Sequence, residues 1–343
     1  MKRYMKRYLG GIILLLICAP ASPAQEKTPL RLLQTVSVPG VVRKWDHFGV
    51  DIKGNRLFVA SEEDPAVEVF DLKTYRHIRA LTEFKEPHNV LPMPELGKIF
   101  VVDGEASEIK ILDYHTYKLL GRIALTIDAD PIAYDPATKL LYVVNGGREA
   151  HTPYCIVSVV DLDKGEKLAD IKLDTNRLES MALEKSSQRL FVNMTGANLI
   201  GVVDREKRTV TETWPITAAK ENVPMQYDEA SHRLFVVTRK PSKLVVMNTD
   251  TGKEVTSLAV ADYVDDLSYD AAHHRLYAPA GGGDGAITVI EQRSADDYQV
   301  MATIPTKPGA KTARLVPELN RYFVGVPAKD KQEAEILVYE VTP

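Results

Sequence analysis

Asn55-Arg56-Leu57-Phe58-Val59-Ala60-Ser61 returns six more times along the chain. The second copy is Gly97-Lys98-Ile99-Phe100-Val101-Val102-Asp103 and the third is Lys139-Leu140-Leu141-Tyr142-Val143-Val144-Asn145. The others centre on Phe191, Phe235, Tyr277 and Phe323. The aromatics are separated by 42, 42, 49, 44, 42 and 46 residues. A period in the low forties, filled by four short strands, is the mark of a β-propeller. The expected fold is therefore all-β, a seven-bladed β-propeller.

Each unit supports this reading. Before the aromatic lies an apolar pair, ten and eight residues back: Phe48/Val50, Val90/Pro92, Ile132/Tyr134, Met181/Leu183, Met225/Tyr227, Leu267/Tyr269 and Ala313/Leu315. These define an inner strand that packs blade on blade. After the aromatic comes a third strand such as Val67-Glu68-Val69-Phe70-Asp71 or Val157-Ser158-Val159-Val160-Asp161. Its closing acid suits a turn that takes backbone hydrogen bonds. The seventh unit ends after its third strand. One β-patterned segment, residues 30–38, is left over near the start. We expect it to close the ring as the outer strand of blade 7, with Leu30, Leu32, Val36 and Val38 inward.

The beginning of the chain reads differently. Lys2, Arg3, Lys6 and Arg7 precede an apolar run, Leu9 to Ile17, followed by Ser22-Pro23-Ala24. This is the pattern of a secretory signal peptide over residues 1–24, cut before Gln25. Cys18 could suggest a lipoprotein, but Ile17 occupies the position where a small residue is needed. Residues 25–343 are then one propeller domain in the periplasm or outside the cell, with no transmembrane segment after the cut. Removing four basic residues from 43 leaves 39 against 47 acids, a net charge of −8. That argues against broad nucleic-acid binding, which needs a basic surface. Cys155 would be the one cysteine kept, so no intramolecular disulfide is expected.

The recurring Leu-Phe/Tyr-Val, the strand ending in Val-Asp or Leu-Asp, and a turn such as Asp250-Thr251-Gly252-Lys253 resemble the YVTN-type propeller repeat. Within that group the chain is similar to bacterial, exported YncE-like proteins over about residues 30–343. The resemblance implies a propeller fold and export. It brings no agreed catalytic motif.

Propellers bind ligands mostly over the central channel. The start of each inner strand shares a face with the loops joining second and third strands. Twelve and eleven residues before each aromatic stand Asp46-His47, His88-Asn89, Asp130-Pro131, Glu179-Ser180, Val223-Pro224, Asp265-Asp266 and Lys311-Thr312. These groups should crowd round one opening. Asp46, Asp130, Glu179, Asp265 and Asp266 are candidate metal ligands. Oxygen donors suit Ca²⁺ or Mg²⁺, and added imidazole suits Zn²⁺ or Mn²⁺. Solvated strand ends are polar in any propeller, so a plain polar rim is the competing reading. Asn89, Lys311 and Arg314 are candidate ligand-binding residues on the same opening. Arg148 and His151 join them, on the long loop Gly146 to Cys155 that stretches one spacing to 49.

Two functions follow as expectations. The first is an exported binding scaffold for a small molecule or an envelope protein, because no nucleophile–base pair is visible. The second is a metal-dependent hydrolase or lyase with His47 or His88 as general base. A haem enzyme of the Cys-x-x-Cys-His type is disfavoured, since the chain has no such motif.

Overall fold

The computed structural model describes residues 28–38, 44–330 and 332–343. The expected signal peptide, residues 1–24, lies outside the described residues. Seven four-stranded antiparallel sheets form the blades of a propeller. Blade 1 runs Trp45–Asp51, Arg56–Ser61, Ala66–Asp71 and His77–Leu81 from axis to rim. Blades 2 to 6 repeat the order, with inner strands at Pro87–Met93, Ile132–Asp135, Met181–Leu183, Lys220–Asp228 and Ser268–Asp270. Among the described residues no helix is long and apolar enough to cross a membrane.

The repeat explains the local structure. Each copy starts at the turn between first and second strands. Asn55, Gly97, Lys139, His232, His274 and Asn320 there all have a left-handed backbone, with φ between 52° and 63°. Glycine and asparagine tolerate that conformation best. The aromatic three residues later sits mid-sheet. Phe58, Phe100, Tyr142, Phe191, Phe235, Tyr277 and Phe323 are all buried. Burying one such ring stabilises by roughly 1.5–3 kcal/mol.

Blade 7 closes as expected. Its inner strands are Thr312–Val316, Arg321–Val326 and Ala334–Val341, and the outer strand is Leu30–Val38 from the other end of the chain. The closing pair runs antiparallel from Leu30 opposite Val341 to Val38 opposite Ala334. Trp45 adds a second seam, its indole Nε1 donating to the Val326 carbonyl at 2.8 Å. One detail differs from expectation. A register shift between Leu32 and Gln34 inserts an extra residue, and such a bulge moves side chains to the other face. Leu30 packs with Tyr277 and Ile287 of blade 6, while Val36 and Val38 pack with Trp45 and Phe48 of blade 1. Leu32 is left 51% exposed.

Candidate functional site

The inner strands bring their first residues to one end of the axis, where a cavity of about 300 Å³ opens. In blades 3, 4 and 6 the strand proper is short, so Asp130, Glu179, Asp265 and Asp266 precede it. Backbone hydrogen bonds still hold them. Asp130 and Glu179 donate to the Val144 and Asn193 carbonyls at 3.1 and 3.0 Å. Asp266 donates across to Lys311 of blade 7 at 3.2 Å.

Three blades meet at Asp46, His47, His88 and Asp130. His88 Nδ1 lies 2.5 Å from Asp46 Oδ2 and 3.8 Å from Asp130 Oδ1. His47 Nδ1 lies 3.0 Å from Asp266 Oδ1. Its Nε2 faces Asp46 Oδ1 at 3.7 Å and Asp130 Oδ1 at 3.6 Å. Asn89 Nδ2 donates to the Asp130 carbonyl at 2.9 Å and to its carboxylate at 3.2 Å. The His88 ring fits because residue 104 is glycine: a Cβ there would stand 2.8 Å from the ring. Facing atoms of Asp46, His47 and Asp130 all lie within 4.8 Å of one another, and so do those of Asp46, Glu62 and His88. Either group could hold a metal ion.

The electrostatics separate these groups. Burial opposes charge on Asp46, but His47 and His88 outweigh it and hold the carboxyl well below its usual range. Burial likewise opposes charge on both histidines. Asp266 and Asp46 overcome it for His47, and Asp130, Asp46 and Glu86 for His88, so both are raised well above the ordinary imidazole value. Asp130 is pushed up to about 7, by burial first and by Asp46 and Glu179, against the pull of His88 and His47. His47 and Asp130 are ringed by protein, yet 23% and 27% of their side chains open to the cavity. Solvent there softens these effects.

The other expected ligands are engaged elsewhere. Asp265 is taken by Lys311 and Arg239. Glu179 pairs with Arg177 at 2.7 Å while still lining the cavity. Asp266 accepts from the Ala313 amide at 2.8 Å as well as facing His47. Arg314 lines the cavity and is exposed in it. Arg148 lines an adjoining cavity of about 280 Å³, which shares Asp130, Pro131 and Glu179 with the first. His151 is exposed on a turn, with φ of 54°, and lines neither. Cys155 is buried, its thiol pushed up to about 11 by that burial, which makes it inert.

Sequence reasoning missed Glu62, Lys44, Arg177 and Arg239. Glu62 was findable. It stands in the loop after the second strand of blade 1, and those loops share the face of the mouth. Burial raises the Glu62 carboxyl, and Lys44 pairs with it.

No family model matches the chain. Two curated relatives, both called "Uncharacterized protein YncE", come from Salmonella typhi and Salmonella typhimurium strain LT2. They are 22% and 21% identical to it over 241 residues, 67% of this chain and 65% of each relative. The match thus spans less than two thirds of their length. A chain from the solved Kuenenia stuttgartiensis hydrazine synthase superimposes with a TM-score of 0.71 at 16% identity, covering 84% of this chain and 95% of its own. A chain of the mitotic checkpoint complex gives 0.74 at 14% identity, covering 97% and 99%. At such identities the likeness shows the fold alone. The distant relatives together with seven blades fit a YncE-like propeller family.

Proposed function

We propose that this chain is an exported binding scaffold, periplasmic or secreted, that takes a small polar ligand into its axial cavity through a divalent metal ion. The ion is held by Asp46, His47 and Asp130. The observation carrying this reading is their convergence within 4.8 Å at the cavity wall. Nearby Asp265 and Glu179 are taken up by lysine and arginine, whereas Asp130 has no lysine or arginine partner within 4 Å among the described residues. One imidazole with two carboxylates suits Zn²⁺ or Mn²⁺ better than Ca²⁺ or Mg²⁺. Export rests on the basic and apolar start of the sequence. A small molecule fits the cavity; an envelope protein is the other partner class.

The enzymatic alternative, a hydrolase or lyase with a histidine base, is less well supported. Both nitrogens of His47 and of His88 face carboxylates. In the metal-free chain, imidazoles held in the protonated form are poor bases near neutral pH, whereas an incoming ion supplies the positive charge itself and displaces the His47 proton.

Metal analysis of the mature chain tests the proposal. After chelation and reloading, about one Zn²⁺ or Mn²⁺ per chain should remain through gel filtration, and a His47→Ala/Asp130→Ala double variant should lose it. The metal should raise the melting temperature, since an ion at about 100 times its Kd adds about 2.7 kcal/mol. Failure of all four ions to bind or to stabilise would overturn the metal reading.

A further inference from the structure

Arg314 breaks the pattern of its own ring. On the inner strand of every blade, one residue pairs directly across from the repeat aromatic. These are Gly49, Leu91, Ala133, Ala182, Gln226, Ser268 and Arg314, opposite Phe58, Phe100, Tyr142, Phe191, Phe235, Tyr277 and Phe323. Six are uncharged, and most are small. Space is tight enough at this level that a Cβ on residue 49 would meet the Val90 carbonyl at 2.4 Å. The seventh position carries a guanidinium.

That guanidinium has no partner to match it. Among the described residues it is the one lysine or arginine lining the axial cavity. Four cations round the mouth are committed: Lys44 to Glu62, Arg177 to Glu179, and Arg239 with Lys311 to Asp265, while Arg148 stands in the adjoining cavity. Arg314 makes no hydrogen bond or ion pair within 4 Å to any described residue, although it feels the charges of Asp266 and Glu318. It is enclosed by the blades yet exposed to the cavity. A cation so enclosed costs free energy unless something else completes its hydrogen bonds. Its flat, forked donors match a carboxylate or a phosphate. Arg314 lies two residues further along its strand than the level of Asp266, about 7 Å deeper.

We infer that Arg314 is an anion subsite inside the axial cavity, and that the ligand is a small molecule carrying a carboxylate or phosphate. This rests on the proposed metal site at the mouth for the ligand's other end. The Gln226 amide, at the same level and also lining the cavity, offers a further donor. A cavity of about 300 Å³ sets the size at a small metabolite.

Calorimetry of the zinc-loaded mature chain with malonate and with inorganic phosphate tests the subsite. At least one anion should bind and raise the melting temperature, and the better of the two identifies the headgroup. Arg314→Gln should weaken that binding at least tenfold, and Arg314→Lys less, with zinc content unchanged in both. The wild-type melting shift does not depend on either variant folding. Equal binding by Arg314→Gln, or no heat and no melting shift with either anion, overturns the inference while zinc retention leaves the metal reading standing. Conversely, a chain that holds none of the four ions but still binds the anion through Arg314 supports the subsite and overturns the metal reading.

Discussion

The two ends of the same inner strands use charge in opposite ways. At the far end from the mouth, seven residues before the aromatic, stand Asp51, Asp135, Glu184, Asp228 and Asp270, all buried. Each is closed off by dedicated partners. Asp51 accepts from Arg56 at 2.7 Å and from Tyr114 of the next blade at 2.7 Å. Glu184 takes Arg189 through two bonds of 2.6 Å and Tyr227 of the next blade at 2.7 Å. Asp135 pairs with the buried Arg205 of blade 4. Burial raises the Glu184 carboxyl, but Arg189, Ser187 and Tyr227 outweigh it and bring it down to about 2. At the mouth, Asp130 is pushed the other way, and the Arg314 guanidinium has no partner among the described residues. The first end is closed by the protein itself, and at Asp51, Asp135, Glu184 and Asp228 the partners lock one blade to the next. The second leaves Asp130 without a lysine or arginine, and Arg314 without an ion pair, among the described residues.

The largest effect expected belongs to the ring that both ends share. Deleting residues 28–38 removes the outer strand of blade 7 and uncovers Ile336 and Val338. Its urea midpoint should fall further than that of any side-chain variant, because an open edge and two apolar seams are exposed together. A midpoint equal to that of the mature chain would mean the closing pair carries no stability. The next effect separates the ends directly. Arg205→Gln leaves Asp135 buried without its cation and frees the Glu184 and Ser187 carbonyls. Breaking such a pair costs about 3–5 kcal/mol. Arg314→Gln, the same substitution at the mouth, should cause no such loss and should leave stability unchanged or raised, because it removes an enclosed cation that has no ion pair among the described residues. Equal losses at both would erase the distinction between lock and site.

Much of this was readable in the sequence, for reasons that are physical. The buried aromatic and the left-handed turn before it repeat because each blade needs both, so the blade count followed. Strand connectivity fixed which loops share the mouth, and counting back from the aromatic reached Asp46, His47, His88 and Asp130. Pairing was not readable. Asp265 is held by Lys311 and by Arg239, which arrives from the second strand of the neighbouring blade, and no such cation reaches Asp130 among the described residues. Counting back seven residues would have found the locks by the same arithmetic, but partners such as Arg205, Tyr114 and Tyr227 come from another blade. The bulge after Leu32 left no mark in a strand whose apolar residues look evenly spaced.

The smallest effect, and the sharpest, concerns Asp130 in metal-free protein. Its folded value is near 7 against an ordinary 3.8. The folded state therefore holds a proton between those values that the unfolded chain releases, and its contribution to stability falls as pH rises from about 4 to 7. The raised histidines act in the same direction, since their stabilisation is complete below 6.5 and is lost as pH passes through their folded values. Glu184 acts oppositely: its contribution is present above 4.5 and is lost as pH falls toward 2. Asn at position 130 keeps the shape and can still accept from Asn89, but it removes the charge. A shift of this size would be worth about 4 kcal/mol in a dry site. The 27% exposure of the side chain and its coupling to two histidines reduce that to about 1–2 kcal/mol. Asp130→Asn should therefore leave the urea midpoint unchanged below about pH 4, raise it slightly at pH 5 and raise it most at pH 8. The same variant should bind zinc more weakly, so the carboxylate that costs stability is the one that serves binding. If Asp130→Asn is instead destabilised at pH 8, Asp130 is another lock and the contrast between the two ends fails.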